Sequence, residues 1–220
     1  MSRRRATSLR AGPPTIVLAV LAVGATVAAT VVEFGRVWRR GSAPLPADTN
    51  DPLRAAAEAA VETAEVAREG YRGGSRRENA LFNMLGSFVL TFLVARSIAW
   101  TLRARPTFGP FRNLQVGRRH IHHFVPGIVL AFGAGGVGIV SRNQGLEPWL
   151  AVPFGAGAGL TLDESALLLE LDDVYWSEEG ILSVQITLAV TALLASLALA
   201  ARFLRRGEQT VLEETAPASV

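Results

Sequence analysis

All three histidines of the chain lie within four positions, in the run Arg118-Arg119-His120-Ile121-His122-His123. Further along come Asp163 and Glu164, then Glu170, Asp172 and Asp173, just ahead of Tyr175-Trp176. Imidazole nitrogens and carboxylate oxygens together form the donor set of a divalent metal, and a catalytic zinc site keeps one coordination position for water. Metal-bound water ionises near neutral pH, and a carboxylate beside it serves as general base. On this chemistry His120, His122, His123 and Asp163 are candidate ligands, with Glu164 or Glu170 as the base. Zinc is the first choice, and iron and manganese accept the same donors. The H-x-H-H spacing is not a signature alone, because adjacent ligands cannot all bind from one rigid helix.

The same residues have plainer uses. His and Arg at the end of a membrane span snorkel among headgroups without any ligand role. Asp163 is a natural partner for Arg96, the lone charge of another apolar run. The stretch holding Asp172, Asp173, Glu178 and Glu179 reads as a solvated acidic loop, and Tyr175-Trp176 as part of an interfacial aromatic belt. A third reading is a proton- or ion-coupled pathway through Arg96, Asp163 and Glu164, since ionisable groups inside spans mark function or a paired contact.

The elements that must position these groups are apolar runs. A spanning helix needs about 20 mostly apolar residues, and five runs qualify: Thr15 to Val32, Ala80 to Leu102, His123 to Val140, Pro148 to Leu171 and Ile181 to Leu204. The expectation is an all-α, multi-pass transmembrane helical bundle of about five spans in the cell membrane, with the lipid bilayer as partner. The first run also has the layout of a secretory signal, with Arg3, Arg4 and Arg5 ahead of it and small residues at Val27-Ala28-Ala29. Its length and the following Arg36, Arg39 and Arg40 favour an anchor. The organisation expected is a basic segment and first span over 1–34, a polar loop over 35–79, a four-span membrane domain over 80–205 and a tail over 206–220.

Within the polar loop, Asp51 suits an N-cap with Pro52 in the first helical turn. The run from Leu53 to Glu69 reads as an Ala-rich, solvated helix, its apolar side too thin to anchor strongly, closed by Gly73-Gly74. The short link from Ser141 to Glu147 makes the third and fourth spans antiparallel neighbours, setting His123 level with Ala166 and His120 near Leu169. Asp163 and Glu170 then share a helix face. Pro153 and the run Gly155-Ala-Gly-Ala-Gly159 would either break the fourth span into a re-entrant segment or let it pack closely on a neighbour; close packing is the preferred reading. Orientation is contradictory: Arg-rich segments before the first span and over Arg103 to Arg119 belong on the cytoplasmic side, whereas five spans put Arg205 and Arg206 on the other.

Composition agrees with a membrane chain. Of 220 residues, 50% are hydrophobic and 19% charged, and the mean hydropathy of +0.30 is high for a soluble domain. The net charge of +3 comes entirely from arginine, as there is no lysine. These arginines flank apolar runs instead of covering a face, which argues against nucleic acid as a partner. The absence of cysteine removes disulfides, thiolate metal sites and a thiol nucleophile. No G-x-S-x-G elbow, P-loop or dinucleotide fingerprint is present, and three histidines are too few for the di-iron centre of membrane desaturases. The glycines of Gly133 to Gly138 lie inside an apolar span and serve helix packing.

The motifs G-R-R-H-I-H-H-F-V-P-G-I at 117–128, L-T-L-D-E at 160–164 and L-D-D-V-Y-W-S-E-E-G at 171–180 resemble an uncharacterised group of integral membrane proteins common in actinobacteria. The resemblance covers roughly residues 80 to 205 and implies a membrane fold without assigning an activity. A weaker likeness is to membrane hydrolases of the alkaline-ceramidase and adiponectin-receptor type, in which His and Asp bind zinc among seven helices. Here the histidines cluster at one span and five spans are expected, so the likeness extends to chemistry alone: a metal-dependent hydrolase acting on lipid. Beside it stand the ion-coupled reading and a non-catalytic membrane adaptor that uses the Leu53 to Glu69 helix.

Overall fold

The structure, a computed structural model, describes residues 13–104, 115–116, 119–120, 124–141, 145–163 and 178–212. Six helices account for nearly all of it: α1 (Pro13–Arg40), α2 (Pro52–Arg72), α3 (Arg76–Ala104), α4 (Phe124–Val140), α5 (Glu147–Asp163) and α6 (Glu178–Val211). Two short strands, β1 (Gln115–Val116) and β2 (Arg119–His120), pair antiparallel ahead of α4, with Gln115 opposite His120. Three helices are long and apolar enough to cross a membrane: Ile16–Arg40, Arg76–Ile98 and Gln185–Val211. Helices α4 and α5 have 17 residues each, about 25 Å of helix, at the lower limit for a crossing.

Local chemistry sets the helix starts. Asp51 caps α2 by accepting the backbone N–H of Arg54 at 3.1 Å, with Pro52 in the first turn. Ser75 and Glu78 form a reciprocal capping box on α3: Glu78 N–H donates to Ser75 Oγ at 3.2 Å, and Ser75 N–H to Glu78 Oε2 at 3.1 Å. Pro153 lies inside α5 without ending it, and the glycine run continues as helix.

That glycine run positions the bundle. Gly155 and Gly159 face α3, where an added Cβ at Gly159 would lie 2.7 Å from the Phe88 carbonyl oxygen. Gly157 faces α4, its Cβ position 2.6 Å from Ala131 N. α5 is therefore wedged between α3 and α4 at backbone distance, as small residues allow. Asn83 near the start of α3 donates to the Pro148 carbonyl at the start of α5 at 2.7 Å, so α3 and α5 run parallel, with α4 antiparallel between their ends. Against an adjoining face of α3 lies α6, antiparallel to it. Phe88, Val89 and Phe92 of α3 bury against Ala189 and Ala192 of α6, with Ala158 and Leu162 of α5 beside them.

One expectation needs correction. α2 is not solvated all round: Ala55, Ala59 and Val66 are buried, Val66 at 0% exposure. Alanine and glycine contribute little transfer energy, but they let helices approach closely. A Cβ at Gly70 or Gly207 would collide with the backbone of Phe203 or Val66 across the α2–α6 crossing. α1 runs on past Gly35 to Arg40, and α6 past Arg206 to Val211. Both extensions are charged, and their charges pair with each other.

Candidate functional site

Arg96 reaches out of α3 toward the last turn of α5 and toward Gln185 of α6. Its Nε lies 2.7 Å from Asp163 Oδ1. Its Nη2 donates to Gln185 Oε1 at 2.8 Å and to the Asp163 carbonyl oxygen at 3.0 Å. Gln185 Nε2 in turn donates to the Leu162 and Asp163 carbonyls at 2.7 and 3.1 Å. Carbonyls in the last turn of a helix need donors from outside it, and a cation there meets the negative end of the helix dipole. One guanidinium and one amide supply both needs and tie three helices together.

Access to this node is uneven. The Asp163 side chain is 2% exposed, whereas that of Arg96 is 36% exposed. The Arg96 guanidinium also lies over the Phe92 ring, 5.5 Å from its centroid, so an aromatic face shields part of it. The carboxylate is sealed, and its counter-ion sits at the rim.

The expected metal donors meet the described structure only in part. Asp163 is present, and its described partners are Arg96 and Gln185. The backbone of His120 is extended and paired with Gln115. His122, His123, Glu164 and Glu170 lie outside the described residues, as do Tyr175 and Trp176. No cluster of three metal-ligating side chains occurs among the described residues. The antiparallel register of α4 and α5 does hold: Gly127 lies against Gly157 and Leu160, and Ala131 against Gly157. The start of α4 and the end of α5 therefore occupy the same end of the bundle.

The opposite end is a second charged layer, hereafter the arginine end. Glu208 of α6, with its side chain 5% exposed, is paired with Arg36 and, at 3.1 Å, with Arg40. Glu33 pairs with Arg36 and with Arg205 at 3.2 Å. Glu78 pairs with Arg206 at 3.1 Å and Arg202 at 3.3 Å. Beneath it, Tyr71, Phe82 and Phe203 pack edge to face, and Asn83 Nδ2 donates to the Tyr71 hydroxyl at 2.9 Å.

The pair of Arg96 and Asp163 was legible as single charges in separate apolar runs. Gln185 was missed, although it is the one amide in the run from Ile181 to Leu204 and so carries a similar signal. Glu33 and Glu208 were missed because each stands among arginines at a helix end, where solvation is the ordinary expectation. No family model, curated protein or solved structure matches the chain.

Proposed function

We propose that the chain is a multi-pass protein of the cell membrane in which the Arg96–Asp163–Gln185 node is the ion-coupled element. The observation that carries this reading is a sealed carboxylate held by a rim-exposed guanidinium where three helices meet. Ionisable groups at such depth are costly and mark pathways or paired contacts. Neutralising Asp163 would remove the charge that holds Arg96, freeing the guanidinium to move outward and loosening α5 and α6 from α3. On this reading α4 and α5 cross with the three longer helices, giving the five spans. The arginine end, with Arg36, Arg39, Arg40, Arg76, Arg77, Arg205 and Arg206, faces the cytoplasm. The motifs at 117–128, 160–164 and 171–180 support membership of the actinobacterial group they resemble.

The test is proton flux into proteoliposomes enclosing a pH-sensitive dye. Wild type should dissipate an imposed pH gradient, and Asp163→Asn, which keeps the shape of the side chain, should not. Equal flux in both proteins would refute the ion-coupled role.

A second reading is supported by the antiparallel register of α4 and α5, which brings the start of α4, the helix that follows the histidine run in sequence, to the end of the bundle that holds Asp163. There His120, His122 and His123 would bind a divalent metal, zinc first, with Glu164 or Glu170 as base of a lipid hydrolase. Asp163 is the weakest member of that set, because a ligand role would require Arg96 to give it up. Elemental analysis of detergent-purified protein decides. About one equivalent of metal per chain, lost in His122→Ala, supports the site, and metal-free folded wild type removes it.

A further inference from the structure

Two adjoining cavities open between α3, α4 and α5 at the arginine end, of about 600 and 430 Å³. They share Met84, Glu147 and Ala151 as lining, so they form one groove. One part of the groove is largely apolar and open to the surface, walled by Gly135, Gly138, Ile139, Leu150 and Phe154. Its mouth carries Arg76 and Arg77. Glu147 contributes to both parts, and its Oε2 is buried without a hydrogen-bond partner.

The two arginines stand apart from the others at this end. Arg36, Arg40, Arg202, Arg205 and Arg206 each pair with a carboxylate and Arg39 donates to the Gly35 carbonyl, whereas no ion pair or hydrogen bond of the Arg76 or Arg77 side chain occurs among the described residues. They also occupy the first turn of α3, where positive charge opposes the helix dipole. Helix stability therefore does not account for them. Two uncommitted cations above an apolar groove at a membrane boundary match an anionic amphiphile, the pattern by which basic pockets between spanning helices hold headgroups.

We propose that this groove binds one phospholipid with a singly anionic, hydroxyl-bearing headgroup, of the phosphatidylglycerol type. The phosphodiester lies against Arg76 and Arg77, an acyl chain follows Met84, Gly138 and Phe154, and a headgroup hydroxyl donates to Glu147. Charge arithmetic selects the headgroup. Among the described lining residues, two arginines and one glutamate sum to +1, which one phosphodiester cancels. A zwitterionic lipid leaves the excess uncompensated. The inference rests on the chain lying in a bilayer and is independent of the chemistry at the Asp163 end.

Native mass spectrometry of the detergent-purified full chain tests it, with phosphatidylglycerol and phosphatidylcholine titrated in turn. One phosphatidylglycerol per chain should be retained in preference to phosphatidylcholine. Arg76→Gln with Arg77→Gln should weaken it roughly ten- to thirty-fold. The exposed pair Arg54→Gln with Arg72→Gln should leave it unchanged. Gly138→Leu, which fills the groove without touching either charge, should weaken binding as well and serves if the arginine variant does not fold. Equal retention of the two lipids, or equal losses in both arginine pairs, overturns the groove and leaves general surface electrostatics. A chain that stays soluble without detergent would instead overturn the membrane reading beneath it.

Discussion

Asp163 is fixed by a counter-ion, and its own backbone carbonyl by an amide from a third helix. Removing one partner of a buried pair leaves an uncompensated charge, typically at a cost of about 3–5 kcal/mol. Arg96→Met should therefore lower stability by roughly that amount, because Asp163 stays buried without its guanidinium. Asp163→Asn should cost less, since the amide oxygen still accepts from Arg96. Arg96→Met combined with Asp163→Leu should recover most of the loss, as an apolar pair of similar volume often matches a buried ion pair. Unfolding of the detergent-solubilised variants by increasing denaturant gives the comparison. Singles no less stable than the double would show that the pair carries no coupling.

At the scale of helices, the glycines of α5 divide the labour. Gly155 and Gly159 admit α3, and Gly157 admits α4, so a side chain at any of them must push backbone aside. Gly155→Ala should destabilise by about 1–3 kcal/mol. Gly133, in α4, has nothing within 4 Å of its Cβ position, so Gly133→Ala should be neutral or stabilise by about 0.5–1 kcal/mol through helix propensity. Thermal melts of the two variants separate these signs. The helical character of the apolar runs within the described residues, the cap at Asp51 and the packing use of Gly155 to Gly159 were legible in the sequence, because each depends on residues near one another in the chain. The burial of α2 was not, because its partner face on α6, around Phe203 and Gly207, is remote in sequence. The far ends of α1 and α6 escaped for the same reason: Arg36, Arg40 and Glu208 look like solvated charges until the two helices lie side by side.

For the whole molecule, the pairing of ends fixes a topology. The end of α1, the start of α3, the start of α5 and the end of α6 all meet at the arginine end, through Arg36–Glu208, Glu78–Arg206 and Asn83–Pro148. With no native cysteine, single substitutions report cleanly. Ser42→Cys, Leu146→Cys and Gln209→Cys should all react with an impermeant maleimide from one side of sealed vesicles. Labelling of any one from the opposite side would break this arrangement.

The long reach of the contacts at Glu208 bears on biogenesis. Arg36 waits for a partner 172 residues downstream. At roughly 5–20 residues per second, synthesis takes about 10–30 s to deliver it. During that interval Arg36 has Glu33 of its own helix as partner but no carboxylate from α6. Of these six helices, α1 is made before the others yet is latched only when α6 emerges. A ribosome stalled before Glu208 would hold a chain in which the latch between α1 and α6 is still open.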